Sequence, residues 1–278
     1  MSVAGRFAGP SRIGTVKVVS LGFRTDLMLR ALDGSAVEDR GGHLVVRTPA
    51  NPGFWWGNFL LLAAPPVPGD ADRLEAAFAA EFPGAAHLAL GVDGTEGDAG
   101  DPTVRAALGV EAEEIAVLTA RRPGTPPHPA RDTVVRPLAG DADWAQALEL
   151  HCSCEEPDTV GSRLPFLRAR YASYRRLAEC GHGEWYGAFT GGRMRSGAGV
   201  FTDGSGLARY QNVETHPDFR RRGLAAAVVH RAGAAMAARP GVSTLVIAAD
   251  PGYHAIRVYR SLGFAETERQ VQLIRPAD

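Results

Sequence analysis

An α/β (α+β) fold, arranged as two mixed, twisted sheets flanked by helices, is predicted by three observations. The first is a strand–loop–helix unit at Val213–Ala226, reading V-E-T-H-P-D-F-R-R-R-G-L-A-A. The second is the alternation of short strands and helices on both sides of a proline-rich break at 121–129, which holds four prolines. The third is an internal repeat. Ala107-Leu108-Gly109-Val110 before a strand matches Ser261-Leu262-Gly263-Phe264 before another, and Trp56-Gly57-Asn58-Phe59 sits against Tyr210-Gln211-Asn212-Val213, both 154 positions apart.

The 213–226 unit points to an anion. An extended segment ends at Pro217, and a helix opens at Gly223 with Leu224, Ala227, Val228, Ala232, Ala235 and Met236 at helical spacing. The first N–H groups of a helix lack intrahelical partners and carry the positive end of the macrodipole, so such a terminus receives phosphate or pyrophosphate. Glycine at 223 removes the Cβ where the ligand comes close.

Composition narrows the field. The chain has 278 residues and a formal net charge of -1, against a nucleic-acid binder working through bulk charge. Lys17 is the single lysine, so arginine dominates the positive charge. Three cysteines, Cys152, Cys154 and Cys180, do not make a disulfide framework. No signal core is visible, and no run approaches the ~18 apolar residues of a membrane span, so a cytoplasmic protein without membrane partners is expected.

Residues 1–14, rich in Gly, Pro and Arg, read as a mobile lead-in. A short helix at 23–31, strands at 43–48, 54–62 and 88–92, a helix from Asp70 or Asp72 to Phe82, an acidic loop at 93–102 and a strand at 115–120 make up the first half. Residues 123–130 form an extended linker. The second half reads as a strand at 133–137, helices at 141–151 and 164–179, a hairpin of 185–189 and 197–201, and a strand at 207–215. The main helix, a strand at 244–249, a helix at 254–262 and a strand at 267–274 complete it. The expected domains are 1–122, the linker, and 131–278. The loop after 54–62 is proline-rich and lacks an arginine–glycine helix start, so the first half reads as a degenerate copy without the anion site.

The second half resembles the GNAT superfamily of acyl-CoA-dependent N-acyltransferases. Arg220-x-x-Gly223-x-Ala225 matches that family's Q/R-x-x-G-x-G/A pyrophosphate loop, preceded by Pro217 and Phe219. Ala255, Val258, Tyr259, Gly263 and Phe264 match its A-x-x-hydrophobic-Y-x-x-x-G-F element. The resemblance covers about 131–276 and implies a tandem arrangement with a degenerate GNAT-like first half. It implies acetyl-CoA as co-substrate, lying where the strand before the loop splits from its parallel neighbour. Backbone groups of Val213 and Thr215 then face the pantetheine, and Arg220, Arg221, Arg222, Gly223, Leu224, Ala225 and Ala226 surround the pyrophosphate. No metal is expected. Tyr259 matches the family's general acid, its bland alternative being helix-to-sheet packing. Glu214 is the candidate base, with His216 as a second choice. One departure is Gly252, where the family commonly has a cofactor-contacting asparagine; Asp250 beside it reads as a helix cap.

His151, Cys152, Cys154, Glu155 and Glu156 crowd together, but no second ligand pair at zinc spacing accompanies them. Glu155 and Glu156 offer attraction for a cationic amine. Trp55, Trp56, Trp185 and Tyr186 read as packing. The expectation is acetyl transfer to a primary amine of a small molecule or peptide; a non-catalytic acyl-CoA sensor or scaffold is the alternative. The first half is then either part of the acceptor pocket or a surface for a homodimer.

Overall fold

The repeat reappears as strand pairing. In the computed structural model, which describes residues 16–276, the first half runs α1 (Leu21–Leu32), β1 (Ala36–Asp39), β2 (His43–Arg47), β3 (Phe59–Leu62), α2 (Ala71–Glu81), β4 (Leu88–Val92), α3 (Pro102–Leu108) and β5 (Glu111–Ala120). The second half runs β6 (Val134–Pro137), α4 (Gly140–Cys154), α5 (Pro157–Glu179), β7 (Gly183–Thr190), β8 (Arg193–Phe201) and β9 (Leu207–Thr215). It continues with α6 (Leu224–Met236), β10 (Thr244–Ala249), α7 (Ile256–Ser261) and β11 (Ala265–Arg275). The lead-in expected at 1–14 lies outside the described residues.

The mixed α/β class is as expected, and the two GNAT-like sheets prove to be continuous. One sheet of 11 strands has the order β1-β2-β3-β4-β11-β5-β10-β9-β8-β7-β6. Each half lends its last strand to the other. β11 pairs antiparallel with β4 of the first half, β5 pairs antiparallel with β10 of the second, and β5 and β11 pair with each other. These two strands begin at 111 and 265, again 154 positions apart. Exchange covers the edges that two separate sheets would leave open to pairing with other chains.

The repeat is less regular on the strand before the loop. Val92 lies opposite Val271 as Ala248 lies opposite Val117, so β4 and β10 correspond with an offset of 156. The partner of Val92 on β3 is Leu62, whereas Trp55–Gly57 form a 3-10 turn ahead of the strand. Trp56–Phe59 therefore do not superpose on Tyr210–Val213 as the sequence comparison suggested.

Helices pack on both faces. Met28 and Leu29 of α1 share a buried cluster with α4 and α5 residues such as Ala147, Leu150 and Tyr174, centred on Trp185. On the other face, α2 and α3 cover Leu60, Leu90, Val271 and Leu273, and α6 and α7 cover Ala116, Leu245 and Ile247. Ala116 lies opposite Arg269, two residues from Val271, so both helix pairs share that face.

α1 is tied to the second half at its N-terminus. The carboxylate of Glu268 on β11 accepts from the Leu21 N–H at 2.8 Å and the Ser20 hydroxyl at 3.2 Å. A carboxylate suits those orphan donors and the positive helix end. Its neighbour Arg209 on β9 donates to Thr25 Oγ1 at 2.7 Å and Gly22 O at 3.1 Å. The halves are thus joined by buried polar bonds as well as by the sheet.

Two elements were not anticipated. β1 is short and acidic, and α3 follows what reads as an acidic loop. Asp101 caps α3 by accepting from Thr103 N at 2.8 Å, Pro102 opens it, and Gly109 ends it at φ 62°. α5 starts at 157 rather than 164, because the segment Asp158–Arg163 lacks an apolar stripe by which to extend the helix on paper.

Candidate active site

A bulge opens the sheet beside the loop. Along β8 and β9 the register shifts between Gly197 and Gly199, leaving Asn212 in left-handed backbone with φ 46°. Beyond that point β9 leaves its parallel neighbour: β9 and β10 pair only from Leu207↔Thr244 to Arg209↔Val246. The V expected before the loop is therefore present, and the backbone of residues 213–215 is unpaired on the β10 side.

A cavity of about 350 Å³ fills that V. Val213, Glu214 and Thr215 form one wall, Arg220, Arg221 and Gly223–Ala226 a second, and Tyr259 with Tyr253 and His254 a third. Gly223 caps α6 at φ 77°, and no side chain covers the first N–H groups of the helix. A Cβ at 223 would stand 2.8 Å from the His128 carbonyl, so the linker packs where a side chain would go. Gly223 is thus required twice, by backbone conformation and by space.

The three arginines do different things. Arg220 Nε donates to Thr215 O at 3.3 Å and ties the loop back to the strand. Arg221, in left-handed backbone at φ 63°, borders this cavity and a neighbouring one of about 620 Å³ beneath the linker. Arg222 faces only the second: its guanidinium stacks 4.7 Å from the Phe219 ring and donates to Asp218 O at 3.1 Å. Of the nine positions expected around the cofactor, Arg222 is the one whose side chain the structure leaves outside the first cavity.

Glu214 enters the cavity from β9 and is held from behind. His151 Nδ1 hydrogen-bonds its Oε1, and the Tyr171 hydroxyl donates to its Oε2 at 3.3 Å. An ionised carboxylate only accepts, which puts the imidazole proton on Nδ1. His151 Nε2 lies 3.3 Å from Glu155 Oε1 without hydrogen-bond alignment, and Glu155 is paired in turn with Arg163. Sequence reading placed His151 and Glu155 in a crowded segment but missed their link to a residue 63 positions away. Glu155 is committed to this chain, and Glu156 is exposed just ahead of α5.

Tyr259 is 5 % exposed and lines the cavity. Burial, then the nearby Tyr253 and Glu214, raises its pKa well above the ordinary phenol value. It stays protonated and able to donate. Cys154 is raised too, by burial and then by Glu214, and its thiol donates to Thr215 O at 3.5 Å. The Thr215 carbonyl is therefore satisfied by Cys154 and Arg220 within the protein.

His216 turns away from the cavity. It accepts from Asp218 N at 3.3 Å and packs edge-on against Phe219. Asp250 caps no helix; it accepts from Gly252 N at 2.7 Å in a tight turn. Trp185 is core, Trp55 stacks on His87 at 5.6 Å, and Trp56 faces the seam between the halves. Among the described residues no group of three His, Cys, Asp or Glu could hold a metal ion, and no helix is long and apolar enough to cross a membrane.

A strand split by a bulge, a glycine-started helix and a buried tyrosine thus meet at one cavity. Residues 144–264 match the acetyltransferase (GNAT) family and make this segment a GNAT domain, whose family chemistry is acyl transfer from acyl-CoA. Solved structures extend the likeness of fold over nearly the whole chain. A GCN5-related N-acetyltransferase from Kribbella flavida has a TM-score of 0.64 at 18% identity, covering 93% of this chain and 96% of its own. A conserved protein of unknown function from Staphylococcus epidermidis gives 0.67 at 12%, covering 87% and 93%. A tandem GNAT protein from the clavulanic acid biosynthesis pathway gives 0.52 at 18%, covering 92% and 94%, and supports the tandem arrangement. No curated protein matches the sequence.

Proposed function

We propose that the chain is an N-acetyltransferase that moves an acetyl group from acetyl-CoA to a primary amine, with all chemistry in the second half. The observation that carries this is the single cavity bordered by the open edge of β9, the uncapped start of α6 and Tyr259. The residues fit the co-substrate: free N–H groups and the dipole at 223–226 suit its pyrophosphate, with Arg220 and Arg221 beside them, and the unpaired strand around Val213 suits its amides.

Glu214 takes the proton from the amine, held in place by His151 and Tyr171. The nitrogen forms its bond to the acetyl carbon as the C–S bond breaks, and the leaving thiolate takes the proton of Tyr259. We assign the halves to 1–122 and 131–278 in chain order, with the Pro-rich stretch between them, and place the protein in the cytoplasm.

The test is thiol release from acetyl-CoA across a panel of amines, with Tyr259→Phe and Glu214→Gln as controls. Turnover on at least one amine that falls in both variants is expected. Tight acetyl-CoA binding with no turnover on any amine would make the protein a sensor instead.

A further inference from the structure

A further cavity, of about 280 Å³, lies at the seam between the halves. It borders β9 at Gln211, as the first borders it at Val213–Thr215. Arg30 and Phe54 reach it from the first half, Arg170 and Gln211 from the second. The Phe54 ring gathers both cations, 4.7 Å from the Arg30 guanidinium and 4.1 Å from that of Arg170.

Among the described residues neither cation has a carboxylate at hydrogen-bonding distance. Arg30 is 5 % exposed, its Nη1 has no hydrogen-bond partner, and the nearest carboxylate, Asp33, stands 3.9 Å away. Asp33 commits its Oδ1 to Ser173 and to Arg176 at 3.1 Å, and its Oδ2 is the oxygen that faces Arg30. Burial, and next the charge of Arg170, pulls the Arg30 pKa down to about 10. Arg170 makes a long polar contact, 3.4 Å to Gln211 Oε1, and lies 5.1 Å from the Tyr174 ring. The other carboxylates at the cavity are also committed: Asp26 to Arg209 at 3.2 Å and Gln270 at 3.0 Å, Asp250 to Gly252 N at 2.7 Å. A buried guanidinium N–H without an acceptor, beside a half-buried second cation, is costly, and a bound oxyanion lowers that cost.

Resting on the acetyltransferase reading, the geometry points to this seam cavity as the receptor for the anionic end of the acceptor. The acceptor class is a primary amine carrying a small oxyanion, carboxylate or phosphate, a few bonds from the nitrogen. Arg30 and Arg170 pair with the oxyanion while the amine reaches Glu214. Tyr174 of α5 donates to Gln211 and Tyr171, three residues earlier on the same helix, to Glu214, so α5 supports both the seam cavity and the candidate base. The apolar walls at Leu29, Phe59 and Ile115 accept a hydrocarbon linker. The first half then has a function: it supplies half of the acceptor site.

Calorimetric titration of the full chain, with and without saturating CoA, tests this with β-alanine, 2-aminoethyl phosphate and neutral β-alaninamide. At least one anion should bind tenfold or more tightly than the amide. Arg170→Met should remove that preference without changing CoA affinity, and Arg170→Lys should restore part of it. The stronger of the two anions identifies the oxyanion. Equal binding of amide and anions, no binding of any probe, or an unchanged preference in Arg170→Met overturns the proposal. CoA binding reads out separately: its absence sinks the acyl-CoA reading, whereas CoA binding without anion preference sinks only the acceptor class.

Discussion

The starts of α2 and α6 occupy corresponding places in the two halves and differ in three ways. Ahead of α6 the strands separate after Arg209↔Val246; ahead of α2 they stay paired to Leu62↔Val92, and Asp93 N adds a bond to Leu62 O at 2.9 Å. α6 opens on Gly223 and α2 on Asp70, neither with a side-chain cap hydrogen bond, so the difference is one of charge. The Val67 N–H, then Arg73, hold the Asp70 carboxyl below its ordinary pKa, which keeps a negative charge at the start of α2. Finally, the loop at Gly100 presses on Pro66, where a Cβ would come within 2.5 Å, filling the space before α2. An anion site therefore needs an open strand edge, a helix start without a negative side chain and room, all together. A helix N-terminus alone is not enough.

Each difference can be tested by mutation, the largest effects being chemical. Tyr259→Phe and Glu214→Gln should each lower kcat by about 10²–10⁴-fold, the usual value of a positioned acid or base, with acetyl-CoA affinity nearly unchanged; steady-state kinetics on the best amine decides. A fall in affinity without a fall in kcat would return Tyr259 to a packing role.

Next come the two helix starts. Gly223→Ala forces left-handed backbone, at roughly 1–2 kcal/mol, and meets the His128 carbonyl. Acetyl-CoA affinity should weaken about tenfold or more. Gly69→Ala, at φ 91° with nothing within 4 Å, should leave affinity alone and lower only stability, as equilibrium binding and thermal melts will show.

His151→Ala removes a hydrogen bond to a charged group, worth about 1.5–3 kcal/mol. It should cut kcat/KM for the amine roughly tenfold or more while sparing acetyl-CoA binding. Equal losses for both substrates would mean that the residue only supports the fold.

The smallest effect is on stability at alkaline pH. Tyr171, Tyr210 and Tyr259 have pKa values raised, first by burial, above the ordinary value near 10. Between the unfolded and folded pKa values the unfolded chain loses protons that the folded chain keeps. Their contribution is therefore intact below pH 10 and is lost as pH rises above it, by about 1.4 kcal/mol per unit for each group. Urea midpoints should be level from pH 8 to 9.5 and fall by pH 11.

The loop at 220–226 was legible in the sequence because its geometry is local: a positive-φ glycine, a helix period and small residues suffice. The break between β5 and β6 was legible for the same reason, prolines acting on their own backbone. Strand exchange was not. β5 and β11 carry patterns that fit either half, and their partners are fixed by contacts between strands far apart in the chain, such as Ala249↔Ala116 and Val271↔Val92. His151 and Tyr171 behind Glu214, and Arg30 beside Arg170, were hidden in the same way, since each pair is assembled by packing between distant helices and strands. α3 could have been found from the Asp101-Pro102 start and the Gly109 stop. The exchange also changes how the halves can be studied: residues 131–278 alone lack β5 and would expose β10 and β11, so the full chain is the proper test object.

The central claim is that one half alone holds acyl-CoA. Calorimetric titration of the full chain with acetyl-CoA measures it most directly. A stoichiometry of one per chain, unchanged in Asp70→Asn, is the predicted result; two sites per chain, or none, would contradict it.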